Sequence, residues 1–524
     1  MHCTCVRQTD LPQTSHFFAD VLYHPDRVVS FLPHALRDLD AFRAAAAQTQ
    51  FSERKRADLI SALRVQNSSN PLLDQLAQPG TVAIVTGQQA GLFCGPAYTI
   101  YKALHAIRLA RWLSENGVSA VPVFWVATED HDFLEVNHLW VFDYGHRPVR
   151  VEMRRTVSGQ PVGEVVLADP PVNELAAALD GHPHGDEVAA LVRRVYRTGL
   201  TMGRAFEELL RGILGRFEIL IADPMLPAFR ELAAPAIRTA IQNAPELTSR
   251  VLERNRELTT AGYHAQVHVE DQTSLVFLLE NGKRLTLRRR GAEYHLNGRS
   301  FSQQELMDRA ASLSPNALLR PVVEDSILPT AAYIGGPAEI AYLAQAQVIY
   351  QSILGRMPVP VPRSSFTIID EHSQKAITRY GLSLSDFFQG EDTLREHIAA
   401  KLVPSHLQGV MRESATKVEQ AVEQLRAELI GFDPTLAKAL GHSARKIQHQ
   451  FGKIEAKAGR EALRRDERAT RAAASLSGLI YPERRLQERL YSILPFMAKH
   501  GLDLVEKVHG AIQLDCADHR LMVL

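Results

Sequence analysis

Two polar clusters in the chain have the residue types that acid–base chemistry and ligand binding require. The denser cluster is the run of Glu129, Asp130, His131 and Asp132. Neighbouring carboxylates repel one another, which raises a pKa, and histidine titrates near neutral pH, so either type could accept a proton or bind an ammonium group. A divalent-ion site, or a capped loop without chemistry, would use the same residues. The run is therefore a candidate catalytic cluster, with both alternatives open.

The second cluster is a loop with three glycines, two glutamines and a threonine, at 86–95. Its backbone N–H groups and amide side chains could orient a ligand and stabilise an oxyanion. The glycine spacing matches neither a Walker loop nor a dinucleotide loop. A structural turn is the plain alternative, but long glutamine side chains lose entropy when they are ordered, which favours binding. The candidate binding residues are Thr86, Gly87, Gln88, Gln89 and Gly95.

Two later segments add candidate binding residues. A pair of glycines ends an apolar segment, lets the backbone approach a ligand, and precedes a glutamate in the first turn of a helix. An arginine followed by two serines could bind a carboxylate or phosphate through paired donors. Lys102 is either part of this site or a surface lysine. The added candidates are Gly335, Gly336, Glu339, Arg363, Ser364 and Ser365.

The first two clusters follow short apolar runs that predict buried parallel strands. The runs lie at 82–85 and 121–127, and between them apolar residues recur at helical spacing from Ile100 to Leu113. This is a strand–helix–strand unit, for which a right-handed parallel crossover is expected. Because ligands bind at the carboxyl ends of such strands, both clusters should meet at one edge of the sheet.

The remaining core segments are a predicted strand at 217–223, a return of the chain to the core at 321–334, and a proline-rich edge strand at 358–370. An insertion at 145–215, with a β segment at 149–166, lies before the first of these segments. An antiparallel insertion around 267–301 lies between the first and the second. The dipeptides Asn281-Gly282 and Asn297-Gly298 predict two hairpins in the latter. The first 80 residues read as mostly helical, with helices at 31–50 and 57–66 and a further short one after the break at 67–71.

A long helical arm is predicted near the C-terminus. Val418, Val422, Leu425 and Leu429 form a coiled-coil seam, which Gly431–Pro434 interrupts and a second helix resumes. This spacing indicates an antiparallel helical hairpin for self-association. The arginines at 460–471 alternate with acidic residues, which favours a solvated helix face over a nucleic-acid patch. The seam of the second helix consists of Leu436, Leu440, Ile447, Phe451 and Ile454, and one helix with Leu486, Leu490 and Ile493 is expected to pack back on the core.

Composition limits the partners. Lys plus Arg and Asp plus Glu each number 59 in 524 residues, so no overall basic excess calls for nucleic acid. Four cysteines without a pairing pattern favour a reducing cytoplasm, and the Cys3-x-Cys5 spacing is too short for a usual zinc pair, so no metal site is predicted. No apolar signal core or membrane-length run is present, so a cytoplasmic protein without a membrane partner is expected.

Four motifs together resemble the bacillithiol biosynthesis cysteine-adding enzymes. They are TGQQAGLFCGP at 86–96, EDHDF at 129–133, GGPAEIA at 335–341 and PRSSFT at 362–367. The resemblance continues to PERRLQER at 482–489 and so covers nearly the whole chain. Relatives usually have threonine where this chain has Cys94, which argues against an obligatory nucleophilic role for the sulfur.

This resemblance implies an α/β fold with a Rossmann-like parallel-sheet core, two inserted connecting segments and an antiparallel coiled-coil arm that forms a homodimer. It implies a cysteine ligase that completes bacillithiol by joining L-cysteine to the amino group of glucosaminyl malate. An adenine nucleotide is linked to the fold, but the activating cosubstrate stays open. A nucleotidyl- or glycosyl-transferring enzyme, and a non-catalytic scaffold, are the alternatives. The predicted division is core at 1–144, insertion at 145–215, core at 216–260, β insertion at 261–318, core at 319–392, arm at 393–473 and C-terminal segment at 474–524.

Overall fold

A computed structural model describes residues 2–34, 37–154 and 158–524. Its centre is a five-stranded sheet in which every neighbouring pair is parallel. The strands follow one another across the sheet in the order Val359–Pro362, Thr330–Gly335, Val82–Gln89, Ala120–Ala127 and Leu220–Ala222. The predicted parallel core is therefore confirmed, and the proline-rich strand Val359–Pro362 lies at its edge as expected. The prediction of one strand over 358–370 is wrong in its length, because residues 366–369 belong to another sheet. The five strands are β1 (Val82–Gln89), β2 (Ala120–Ala127), β3 (Leu220–Ala222), β4 (Thr330–Gly335) and β5 (Val359–Pro362).

Both faces of this sheet are buried, as the continuous apolar runs require. In β1, Val82 and Ile84 pack into one hydrophobic cluster, whereas Ala83 and Val85 pack into another. Successive side chains of a strand point to opposite faces, so each run needs helices on both sides. The helices that contact these strands include Leu39–Gln48, Glu53–Asn67, Tyr98–Glu115 and Pro337–Ile353. The helices Pro227–Gln242, Ala244–Thr260 and Arg320–Ile327 contribute buried residues to the cluster that contains Ala83 and Val85.

The N-terminal helices differ in part from the prediction. The helix expected at 31–50 is wrong at its start, because residues 31–34 form turns and the helix Leu39–Gln48 begins only after Asp38, whose carboxylate accepts from Ala41 N at 2.8 Å. Ala35 and Leu36 in the predicted range lie outside the described residues. The other predicted helices are present. The four N-terminal α-helices are His16–Tyr23, Leu39–Gln48, Glu53–Asn67 and Leu72–Ala77.

The first insertion is mostly helical and starts with a hairpin. Strands His138–Phe142 and Pro148–Glu152 pair antiparallel, so the β structure begins before residue 149 and ends well before residue 166. The expected β segment at 149–166 is therefore wrong in its bounds, and its residues 155–157 lie outside the described part of the chain. The helices that follow are Val172–Ala178, Gly185–Val195 and Met202–Leu214.

The second insertion is the predicted antiparallel sheet. Both Asn-Gly dipeptides form its tight turns, with positive φ at Asn281 (53°), Gly282 (70°), Asn297 (47°) and Gly298 (81°). Two successive positive φ values define the type I′ turn that suits a two-residue hairpin. The strands are Thr273–Glu280, Lys283–Arg290, Glu293–Leu296, Arg299–Ser302 and Leu313–Pro315, with the helix Gln303–Asp308 between the last two.

The arm is an antiparallel pair of long helices, Ser405–Phe432 and Pro434–Arg465. Asp433 separates them and caps the second helix, since its carboxylate accepts from Thr435 N at 2.7 Å. Part of the predicted seam faces solvent, because Leu425 is 51% exposed. Shorter helices at the base of the arm are Glu371–Tyr380, Leu384–Phe387, Glu391–Leu402 and Glu467–Ile480.

The C-terminal segment packs on the core in short pieces rather than as the single helix expected. Leu490 and Ile493 are buried, but a helix ends at Leu490 and another begins at Leu494. The final strand joins the N-terminal strand and the strand after the PRSS motif in a three-stranded sheet. Among the described residues, no helix has both the length and the apolar character needed to cross a bilayer. The helices are Gln487–Leu490, Leu494–His500 and Leu504–Ala511, and the strands are His2–Val6, Phe366–Ile369 and His519–Val523.

Candidate functional site

A cavity of about 520 Å³ opens at the carboxyl ends of β1, β2 and β4. Three loops that follow these strands line it, as the strand–helix–strand pattern predicts. The antiparallel insertion and the C-terminal segment close its other sides. Lining residues that were predicted site residues are Gly87, Gln88, Gln89, Glu129, Asp130, Gly336, Glu339 and Arg363.

The acidic loop places two of its four predicted residues at the cavity. Glu129 is almost fully buried and its Oε2 lies 3.2 Å from Arg230 Nη1. Asp130 accepts from Gln89 Nε2 at 2.7 Å and from the backbone N–H of His131. Burial alone would raise the pKa of Asp130, but these bonds and the nearby Arg284 guanidinium hold it below its ordinary value. Asp130 is therefore a fixed carboxylate that anchors Gln89.

The other two residues of the loop do not line the cavity. His131 is half-buried against the second insertion, where Arg284 Nη1 lies 3.2 Å from its Nδ1. Burial and the Arg284 charge lower the pKa of His131, so its imidazole is neutral at pH 7. Asp132 is exposed and caps the helix Phe133–Val136 by accepting from Glu135 N at 3.3 Å. The capped-loop interpretation therefore describes Asp132 better than a catalytic one.

Only some of the predicted residues of the glycine-rich loop line the cavity. Gln88 and Gln89 face the cavity, and Gly87 has no room for a side chain, because a Cβ there would lie 2.9 Å from the Trp125 carbonyl oxygen. Thr86 does not line the cavity; its hydroxyl donates to Ile334 O at 2.8 Å and ties β1 to β4. Gly95 also lies away from the cavity, at the end of a short turn where its φ is 63°. Thr86 and Gly95 therefore shape the loop and do not bind a ligand in the cavity.

A buried ion pair lies under the glycine-rich loop. Lys102, which the sequence left open as a surface lysine, is fully buried and its Nζ lies 2.6 Å from Glu339 Oε2. Its ammonium also donates to Gln88 Oε1 at 3.1 Å and to the Gly87 carbonyl. Burial lowers the pKa of Lys102, and the Glu339 carboxylate opposes that shift. The pair therefore sets the position of both cavity-lining partners, Gln88 and Glu339.

The Glu339 carboxylate is held by donors at the end of β4. Gly336 N donates to Glu339 Oε2 at 2.8 Å, and the Tyr333 hydroxyl donates to Oε1 at 2.8 Å. Burial would raise the pKa of Glu339, but Lys102 and these donors hold it below its ordinary value. Gly335 is buried behind the cavity, whereas Gly336 lines it. Glu339 is therefore an ionised carboxylate at the cavity wall.

The Arg-Ser-Ser motif contributes only its arginine to the cavity. Arg363 is held by Glu488, whose Oε1 lies 2.6 Å from Nη2. Ser364 turns to His105, with its backbone N 3.0 Å from Nδ1, and the Ser365 hydroxyl donates to Glu488 Oε1 at 3.0 Å. Neither serine lines the cavity, so the proposed group of paired donors is not assembled there.

Several residues that line the cavity were not predicted from the sequence. Arg284 stacks over the Phe277 ring at 3.9 Å and donates to Pro315 O at 2.7 Å, yet it comes from a hairpin without any binding signal. Arg320 donates to the Tyr342 hydroxyl at 2.6 Å. Arg489 is exposed at the rim and has no ion-pair partner among the described residues; its position in the 482–489 motif was the available signal.

The family matches cover both halves of the chain. Residues 1–364 match the family model "Bacillithiol biosynthesis BshC, N-terminal Rossmann-like domain", and residues 366–524 match "Bacillithiol biosynthesis BshC, C-terminal coiled-coil domain". The chain belongs to the BshC family.

Curated relatives agree over their full lengths. A protein of Solibacter usitatus is 64% identical over 524 residues, with all of both chains covered. Proteins of Koribacter versatilis (33% identity, 99% of each chain) and Salinibacter ruber (29% identity, 96% of this chain and 95% of that one) follow. All three have the name "Putative cysteine ligase BshC", so this BshC chain groups with ligases of bacillithiol biosynthesis.

Cys94 of this BshC chain lies behind the site, not in it. Its side chain is buried, its Sγ lies 3.6 Å from Phe206 O, and it does not line the cavity. Burial raises the pKa of the thiol well above its ordinary value, which is the opposite of what a nucleophile needs.

We expect Cys94→Thr to keep most of the ligase activity and Cys94→Ala to lose little, because the thiol serves packing. Steady-state rates of the purified variants, with thermal unfolding as the check on folding, measure this. If a variant were folded but inactive, covalent catalysis by this sulfur would have to be reconsidered.

Proposed function

We propose that this chain is the ligase for the last step of bacillithiol biosynthesis, acting in the cytoplasm on L-cysteine and glucosaminyl malate. The observation that supports this most is the mixed charge of the cavity in a BshC-family chain. Carboxylates of Glu129, Asp130 and Glu339 face the same space as the guanidinium groups of Arg320 and Arg489. Both substrates combine an amino group with carboxylates, so they need acceptors and cations in one cavity.

Glu129 is the proposed partner of the reacting amine. It is a lining carboxylate that accepts no backbone N–H from the described residues, and its cation partner, Arg230, also donates to the Ala311 carbonyl at 2.9 Å. An amine can form an amide only after losing a proton, and a carboxylate within hydrogen-bond reach can receive it. We assign Asp130 and Gln89 to orientation, because they are already bonded to each other.

Arg489 is the proposed cation for a substrate carboxylate or phosphate. Arg363 and Arg320 already pair with Glu488 and Glu324, at 2.6 Å and 2.7 Å, whereas no described residue pairs with Arg489. A guanidinium group that still has free donors can bind a planar carboxylate bidentately.

An adenine nucleotide is the proposed cosubstrate that would activate the cysteine carboxylate. The loop after β1 has neither standard phosphate motif, so the phosphates would be held by a guanidinium group such as that of Arg489. Activation is what a free carboxylate needs before an amine can displace its oxygen.

The direct test is an incubation of the purified protein with L-cysteine, glucosaminyl malate and one nucleotide at a time, followed by mass spectrometry. The amide product is expected only when both substrates are present, and the nucleotide whose addition supports its formation is the cosubstrate. A matched sample of Glu129→Gln should form little product. A product that forms without cysteine would instead support the nucleotidyl- or glycosyl-transferring alternative.

We also propose that the arm forms a homodimer. Leu425 and Ile454 are 51% and 55% exposed, and other apolar residues of the same hairpin are exposed as well, so apolar surface remains for a second copy. The other proposed contacts are Val418, Val422, Leu440, Ile447 and Phe451.

Replacing Leu425 and Phe451 with aspartate is expected to yield a monomer in sedimentation, because each charge would be buried in the interface. Gln424→Asp adds the same charge on the neighbouring exposed position and should leave the dimer intact. Circular dichroism checks that the hairpin stays helical. A dimer of unchanged affinity would place the interface elsewhere.

A further inference from the structure

The two ends of the chain bring two cysteines together. The N-terminal strand His2–Val6 pairs antiparallel with His519–Val523, and Cys5 lies opposite Arg520. Cys516 lies in the turn just before the C-terminal strand, and its Sγ is 3.8 Å from the Sγ of Cys5. Cys5 is exposed and Cys516 is half-buried, so a small reagent can reach the pair.

The backbone on each side of this pair is anchored. The Tyr23 hydroxyl donates to Asp518 Oδ1 at 2.7 Å and accepts from Gln8 N at 2.8 Å, which links the turn to the segment after the first strand. Arg520 donates to Gln513 O at 3.1 Å on the other side of the turn. The approach of the two thiols is therefore built into the tertiary structure rather than left to mobile chain ends.

We propose that Cys5 and Cys516 are an oxidisable dithiol that forms an intramolecular disulfide by exchange with a low-molecular-weight disulfide. The Cys5 thiolate attacks one sulfur of the reagent, the S–S bond breaks, and one reagent thiol leaves. The Cys516 thiolate then attacks the Cys5 sulfur and displaces the second thiol. The two cysteines lose two electrons, the reagent gains them, and both thiol protons end on the released thiols.

The other two cysteines do not offer the same chemistry. Cys3 lies two residues from Cys5 on the same face of the strand, but it packs against the hydrophobic core. Cys94 is fully buried. Burial and the contact with Cys516 raise the pKa of Cys5, so exchange should be slow at neutral pH and faster as pH rises.

The disulfide would stabilise an exposed edge strand. The strand His2–Val6 is largely exposed and pairs on one side only, so its hydrogen bonds should open easily in the reduced protein. A bond from Cys5 to Cys516 would hold the strand to the turn that precedes its partner. Oxidation should therefore slow local opening at the two chain ends.

The test is treatment of the full-length protein with excess oxidised glutathione across a pH series, followed by intact mass and peptide mapping. The expected product has lost two hydrogen atoms and yields a cross-linked peptide that contains Cys5 and Cys516. Amides of residues 2–6 should exchange at least about tenfold more slowly after oxidation.

Two variants identify the pair. Cys516→Ser should stop at a stable glutathione adduct on Cys5, whereas Cys3→Ser should cross-link like the parent. Formation of a Cys3–Cys5 disulfide, or no reaction of the folded parent protein at any pH, would overturn the proposal. So would an equal cross-link in the Cys516→Ser variant.

Discussion

Lys102→Met is expected to lower the free energy of unfolding by about 3–5 kcal/mol, the range for removing one partner of a buried ion pair. Lys102 is fully buried and the Glu339 side chain is 22% exposed, so the remaining carboxylate would lose its cation at a largely buried position. Gln88 and the Gly87 carbonyl would lose their donor as well. Urea denaturation of the two proteins measures the difference.

Two further variants separate the ion pair from simple truncation. Lys375→Met makes the same change at a lysine whose side chain is 78% exposed, and it should leave the free energy of unfolding unchanged. Adding Glu339→Gln to Lys102→Met should recover part of the loss, because no unpaired charge remains. If Lys102→Met were as stable as Lys375→Met, the pair would not hold the loop in place.

Glu129→Gln is expected to reduce kcat/KM for amide formation by at least about 100-fold, the scale of losing a general base. The amide side chain keeps the size of Glu129 and a contact for Arg230, but it cannot accept the amine proton. Arg230 should stay in place, because it also donates to the Ala311 and Leu313 carbonyls. Initial rates at several cysteine and glucosaminyl malate concentrations measure the effect.

The same acidic loop provides the matched control. Asp132→Asn retains a helix cap at an exposed position, so it should leave kcat/KM nearly unchanged. The sequence pattern alone would give His131 the same weight as Glu129, but His131 does not line the cavity, and His131→Ala should have a smaller effect. Equal losses in Glu129→Gln and Asp132→Asn would mean that the loop acts through its shape and not through the Glu129 carboxylate.

Local sequence patterns were enough to predict much of the fold. The apolar runs of β1 and β2 predict strands because a buried strand needs apolar residues on both faces, and the Asn-Gly pairs predict hairpins because they tolerate positive φ. Glu129 and Gln88 were found in the same way, since loops that follow neighbouring parallel strands must meet at one edge. The helix at 31–50 failed because the capping residue Asp38 sets the start of the helix.

Side-chain partners were decided by contacts between residues far apart in the chain. Ser365 was predicted to bind ligand, but its neighbours are Glu488 and His519, more than a hundred residues away. Lys102 lies in the N-terminal half of a helix in which residues 99–107 are all buried, and the periodicity of that helix alone could not reveal this. The sequence by itself determined the strands, the turns and which loops reach the sheet edge, because these depend on local backbone preference and hydrophobic period. Only the tertiary structure decided which polar side chains face the cavity, because that depends on charges and donors brought together from distant segments.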